Sequence, residues 1–425
     1  MREIENILSR VSLPEVIRVR QTFDDLALPD PGNALAEQLR QKAANILPGQ
    51  RIAITCGSRG IDHYLTLVKT TVDHVRACGA FPVLIPSMGS HGGATAEGQR
   101  ALLNHFGITE ESMGAPILSS MDVVELGKSN TGLPVYADRN AYECDGIILL
   151  NRVKCHTAFH GPVESGLMKM LAIGLAKQKG AEMTHLLGFE KMSENIMSIG
   201  QTMLEKLNII CGIASIEDAF GHLAEVHVLE GREIPSAEPL LLKRANKLMP
   251  RFYVDEADVL VMMKMGKEIS GSGLDSNLTG RYNVPNISGG PKFRTLCVMD
   301  LSDESEGNAN GMGQADFAPR SFYEKIIPEK AYINALTSTA LYTAKLPMIL
   351  DTDKQVLQAA VKFSSKPDQT SASVIIGVST HEMGELYMSR AALDLVPEQF
   401  RSKIEVIGSY APIPFDENGR LLLFR

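Results

Sequence analysis

The chain has 425 residues, 44% of them hydrophobic and 22% charged, and a net charge of -8. That length favours two domains over a single core, and the composition is that of a globular protein. The acidic balance excludes nucleic acid or an anionic membrane as main partner, because both need a basic face. No apolar run is long enough to span a bilayer, and the opening MREIENILSR mixes both charge signs without an apolar signal core, so the expected location is cytoplasmic. Cys56, Cys78, Cys144, Cys155, Cys211 and Cys297 are scattered with no C-x-x-C pair. That spacing argues against a disulfide framework, a zinc ribbon or an iron–sulfur cluster, and leaves reduced thiols.

Short β-rich runs alternate with helical patterns, as in a mostly parallel sheet flanked by helices. Residues 51–56 (RIAITC) read as a strand ending in the turn Gly57-Ser58-Arg59-Gly60, and 64–78 as a helix with Leu65, Val68, Val72 and Val75 on one face. Residues 81–86 form the next expected strand, leading into Ser87-Met88-Gly89-Ser90-His91-Gly92-Gly93 and a helix over 94–106. A strand at 145–151, a loop at 152–161 and an apolar helix over 163–177 follow, then an amphipathic helix at 193–207 and a strand at 208–216. Beyond the strand 258–263 comes a polar, Gly-rich stretch at 268–286; later strands are expected at 295–299, 373–378 and 403–407, with helices at 320–326 and 352–363. The expected fold is α/β, two α/β domains with mostly parallel sheets and the active-site cleft between them. Residues 1–256 would form the cofactor-binding and catalytic domain, with 410–425 a candidate to rejoin it, and 257–409 the second domain. Ligands of open α/β sheets bind beyond the carboxyl ends of strands, so the loops after 51–56, 81–86 and 145–151 are expected to converge.

Three segments carry candidate chemistry. The Gly57-Ser58-Arg59-Gly60 turn offers backbone N–H groups at a helix start and a bidentate cation, a pattern suited to phosphate or carboxylate and equally to an ordinary turn with a solvated arginine. His91 lies among small residues at a strand end, placed for proton transfer or for capping the next helix. The stretch 151–185 holds His156, His160, Lys169 and His185. Lys169 sits in Gly166-Leu167-Met168-Lys169-Met170-Leu171, where desolvation would yield the neutral amine that covalent chemistry needs, unless the head reaches water. His63, His74, His105, His222, His227 and His381 lack such surroundings.

In these motifs the chain resembles the nickel-dependent lactate racemase family. The matching residues, in family order, are Ser58-Arg59, Gly89-Ser90-His91, Cys155-His156, Ser165-Gly166-Leu167-Met168-Lys169, Thr184-His185 and, later, Leu274-Asp275-Ser276-Asn277. The resemblance implies a racemase or epimerase inverting C2 of a 2-hydroxy acid by proton-coupled hydride transfer. It implies nickel held in a nickel-pincer nucleotide (pyridinium-3,5-bisthiocarboxylic acid mononucleotide) attached covalently to Lys169, with His185 completing the metal's ligands. His91 and His156 would be the acid and base; Gly57, Ser58 and Arg59 would hold the cofactor phosphate or the substrate carboxylate; Asn277 and Arg281 would approach the substrate. The implied partners are the small 2-hydroxy acid and cofactor-maturation proteins, with an oligomer open.

The chain also departs from the family. Family members commonly have His-Arg-Pro where His91-Gly92-Gly93 stands, and Arg where Met168 stands; the loop to Lys169 is longer here and contains His160 and Glu164. Lost cations near the site change which acid fits, so a substrate other than lactate is expected. His160 competes with His156 for the acid/base role, and the position after the strand end favours His156. Two other classes stay open: a metal-dependent lyase or isomerase without the pincer cofactor, and a non-catalytic nucleotide or organic-acid binder.

Overall fold

The computed structural model describes residues 2–424. Its backbone contacts divide it into two compact units, Asp24–Met249 and Met1–Phe23 with Pro250–Arg425.

In the unit Asp24–Met249, a five-stranded sheet runs in the spatial order Phe81–Pro86, Arg51–Cys56, Gly146–Arg152, Ile209–Glu217, Leu223–Glu230. Adjacent strands are parallel except the last pair. Both faces are covered, which is why the strands read as continuous apolar runs rather than alternating ones. Ala53, Val83, Ile85, Ile147 and Leu149 face one core with Leu167, Leu171, Ile196 and Met203. Their sequence neighbours Ile52, Ile54, Leu84, Ile148 and Leu150 face the other, against Leu35, Leu39, Leu67, Val68 and Val72. The register pairs Cys56 with Pro86 and Ile54 with Ile148, so the three expected loops leave the same edge of the sheet.

The single helix expected over 163–177 is broken. Residues 154 and 165 first pair as an antiparallel bridge, then come a short helical turn Leu167–Lys169, a π-helical turn Met170–Leu175, and a separate helix Lys177–His185. Lys177 starts the last piece with φ +57. Buried on all sides, the segment offers no polar stripe from which the break could be read. Widened π turns recur at functional sites. This one is enforced by close packing: a Cβ on Gly174 would lie 2.7 Å from both the Ser87 carbonyl and the Met170 sulfur. Gly174→Ala should therefore cost about 1–3 kcal/mol as overpacking, measurable by denaturant unfolding; an unchanged midpoint would show that this contact gives way freely.

The other unit holds an eight-stranded sheet ordered Met348–Leu350, Phe317–Pro319, Lys292–Val298, Glu256–Met262, Val374–Gly377, Glu385–Ser389, Val16–Gln21, Ile404–Ala411. The first five are parallel and the rest antiparallel. Here the division differs from the expected one. Val16–Gln21 pairs with both Glu385–Ser389 and Ile404–Ala411, which draws the first residues of the chain into this unit. Leu421 and Leu423 pack with Leu8, Val11 and Val16, so 410–425 stays in the same unit.

Candidate active site

The site is assembled from the three loops at the sheet edge. Gly57 donates its N–H to the Tyr64 hydroxyl at 2.7 Å, and that hydroxyl donates back to the Gly57 carbonyl at 3.3 Å. A buried phenol thus pins the turn that carries Ser58 and Arg59. The Ser58 hydroxyl is hydrogen-bonded to His91 Nδ1, joining the first loop to the second. Asn151, at the end of its strand, donates to the Gly166 carbonyl at 2.7 Å and fixes where the Lys169 turn begins.

The third loop is organised by a buried carboxylate. Glu164 accepts from the His156 N–H at 2.6 Å, from the Gly161 N–H at 3.3 Å, and pairs with His160 Nδ1 at 3.2 Å. The ring of His156 lies 4.3 Å from that of Phe159, and the Lys169 amine sits 5.8 Å from the same phenyl centroid. Ala158 donates its N–H to His156 Nδ1 at 3.1 Å, which assigns the neutral proton to Nε2. His160, by contrast, is exposed and bound to Glu164.

The electrostatics show which of these groups share one environment. Lys169 is half-buried as a residue, yet its amine is surrounded by protein atoms; burial first, then the charges of Arg59 and Lys154, push it down to about 7, partly opposed by Glu164. Burial also holds His156 well below the ordinary histidine range, assisted by Lys169, Lys154, His185 and His160. His185 is lowered by burial and by Lys169, against the raising effect of its bond to the Ala181 carbonyl. That bond, Nδ1 to oxygen at 2.6 Å, makes Nδ1 the donor and leaves the Nε2 lone pair for another partner. This is the arrangement in which a histidine binds metal while its other nitrogen is held by a backbone carbonyl.

Lys169, His156, His185, Arg59 and Lys154 therefore act on one another across the third loop and its helix. His91 reaches this group through Ser58 and its neighbour Arg59. Cations and neutral imidazoles outnumber the carboxylate Glu164 in this group, a balance that favours an anion.

Asn277 and Arg281 lie in the other unit, engaged within it. Asn277 accepts from the Tyr282 hydroxyl at 3.0 Å and donates to Asp275 at 2.9 Å. Arg281 is held by Asp316 at 2.9 Å and by the carbonyls of Phe293 and Arg294 at 2.9 and 2.8 Å. That fork ties the strand Lys292–Val298 to Asp316, the residue before the strand Phe317–Pro319, within its own unit. Sequence reasoning also passed over Tyr64, Lys154 and Glu238. Lys154 stands two positions before His156, a hint that was available; Tyr64 and Glu238 carry no local signal.

Residues 24–196 match the family model described as the lactate racemase N-terminal domain. The structure of the lactate racemase apoprotein from Thermoanaerobacterium thermosaccharolyticum is similar at 12% identity with a TM-score of 0.45, over 92% of this chain and 96% of that one. Among curated proteins, none matches. Among the described residues, no helix is long and apolar enough to cross a membrane.

Proposed function

We propose that this chain is a racemase or epimerase that inverts C2 of a 2-hydroxy acid other than lactate, working with a lysine-tethered nickel-pincer nucleotide in the cytoplasm. The observation that carries the reading is the shared environment of a lowered lysine amine and a histidine whose Nε2 is open, inside a lactate racemase N-terminal domain. Those residues fit the group. Lys169 offers a neutral amine for the covalent link, His185 offers an imidazole to nickel, and the Ser58-Arg59 turn with Lys154 offers donors to a phosphate. The chemistry such a group supplies when bound is acceptance and return of hydride at C2.

The chain's own residues handle the proton. His91 and His156 are the acid and base at the substrate hydroxyl, one for each enantiomer. Their states differ: His156 enters neutral with its proton on Nε2, so it starts as the donor, and it accepts a proton at Nδ1 only after releasing the Ala158 N–H. His91 keeps Nδ1 on the Ser58 hydroxyl, a partner able to give or take a hydrogen bond as the ring changes state.

The test is full-length protein co-produced with the cofactor-maturation proteins, incubated in deuterium oxide with a panel of 2-hydroxy acids and read by chiral chromatography. Inversion with the C2 hydrogen retained is the expected result, lost on His91→Ala or His156→Ala. An unmodified Lys169 in nickel-free protein would sink the reading; bound zinc or iron with pincer-independent turnover would point to a lyase or isomerase, and binding without turnover to a plain acid binder.

A further inference from the structure

Outside the residues given roles above lies a charged cluster with no solvent contact. The Lys177 and Asp138 side chains are both fully buried, with Nζ 3.1 Å from Oδ2. Lys177 also donates to Gln99 Oε1 at 3.0 Å and to the Pro86 carbonyl. Gln99 in turn donates through Nε2 to the carbonyls of Gly89 at 2.9 Å and His91 at 3.3 Å. Asp138 accepts the Ala141 N–H at 3.0 Å through its other oxygen. An ion pair from Asp138 to Lys177, continued by hydrogen bonds through Gln99, thus reaches the backbone of the His91 loop.

The direction of that chain follows from donor chemistry. An ammonium has only donors, so the oxygen of Gln99 must face Lys177, and its amino group must then face the loop carbonyls. Reversal would set oxygen against oxygen at Gly89 and His91. Lys177 also lies midway between Lys169 and His185, at the left-handed residue that restarts the helix after the π turn. Whatever fixes Lys177 fixes that helix against the loop. As a pure stabiliser the pair is a poor choice, since an apolar pair of similar volume holds a core at least as well.

We propose that Lys177, Asp138 and Gln99 are positioning residues that set the distance between His91 and the segment carrying Lys169 and His185. The proposal rests on the reading that these groups act on one substrate, and its test separates the two. The full chain carrying Lys177→Met with Asp138→Asn, which keeps the acceptor for Ala141, should fold with a wild-type circular dichroism spectrum. Amide exchange over residues 88–94 should quicken about tenfold, while the strand Gly146–Arg152 stays protected. In holoprotein kcat should drop on the order of a hundredfold, with KM within about twofold, the signature of misplaced rather than missing groups. Gln99→Leu, which leaves the ion pair intact, should give the same loop exchange, and it decides the matter if the double variant does not fold. Wild-type exchange over 88–94 in a folded variant overturns the proposal, as does faster exchange with unchanged kcat. If wild-type holoprotein inverts no 2-hydroxy acid, the functional reading fails and the exchange comparison still decides whether the device holds the loop.

Discussion

Lys169→Ala protein, produced with the maturation proteins, should carry no nickel and should turn over 2-hydroxy acids at least about a thousandfold more slowly than the parent, the scale expected when a covalent group is removed. Lys169→Arg should fare no better, because a guanidinium stays charged at neutral pH and is no nucleophile. The structural reason can be tested before any cofactor is present. With the amine near 7, about half of Lys169 is neutral at pH 7, whereas an ordinary lysine near ~10.4 has only a few parts in ten thousand neutral. A limiting amine-reactive reagent at pH 7 should therefore label Lys169 in preference to each exposed lysine by up to roughly a thousandfold, the ratio of their neutral fractions, less whatever access the half-buried position denies. The sign is fixed by the cause. Burial, Arg59 and Lys154 all disfavour the ammonium, so reactivity should rise through about pH 7 and level off above it, where exposed lysines are still climbing. Labelling of Lys169 that tracks the exposed lysines across pH 6–9 would show an ordinary, solvated amine.

The strands and their loops were legible because both faces of the sheet are buried: RIAITC and DGIILLN have no polar alternation, and their ends fall at 56 and 152 within a residue of expectation. The break in the Lys169 segment was not legible. A run that is apolar all round gives the same pattern whether it is one helix or two with a π turn between them, and the contacts that break it, Gly174 on Ser87 and Lys177 on Pro86, are far away in sequence. The same reason hid the role of the N-terminal strand Val16–Gln21, whose partners lie beyond residue 380. Among the residues that the motifs singled out, His156, Lys169 and His185 share one environment. The pairing of Arg281 with Asp316 was not legible, because no local spacing relates the two.

Glu238→Gln should remove a pH dependence of stability that the parent shows between about pH 4.5 and 7. Glu238 is fully buried on the helix Ile234–Leu248; Oε2 accepts the Met168 N–H at 2.9 Å, one residue before Lys169. Its Oε1 has no hydrogen-bond partner and lies against Gly166, where a Cβ would approach it to 2.5 Å. Burial pushes the carboxyl up to about 7, opposed by the N–H groups of Met168 and Leu167. The folded protein therefore holds this proton more tightly than the unfolded chain does. Its contribution is complete below the ordinary value of 4.5 and is lost as pH rises through about 7, above which the fold carries an uncompensated buried charge. Across that window the loss is on the order of 3 kcal/mol. Glutamine keeps an acceptor for Met168 and has no charge to bury, so the variant should gain on the parent by about that amount between pH 4 and pH 8 in paired urea titrations. Glu238→Leu would orphan the Met168 N–H and loosen the turn under Lys169, so it should lose stability against the parent below about pH 4.5, with the deficit shrinking as pH rises through 7, and should also blunt the selective labelling of that amine. Parallel curves for parent and Glu238→Gln would mean that the carboxyl is ionised in the fold throughout, with its charge met by something other than two backbone donors.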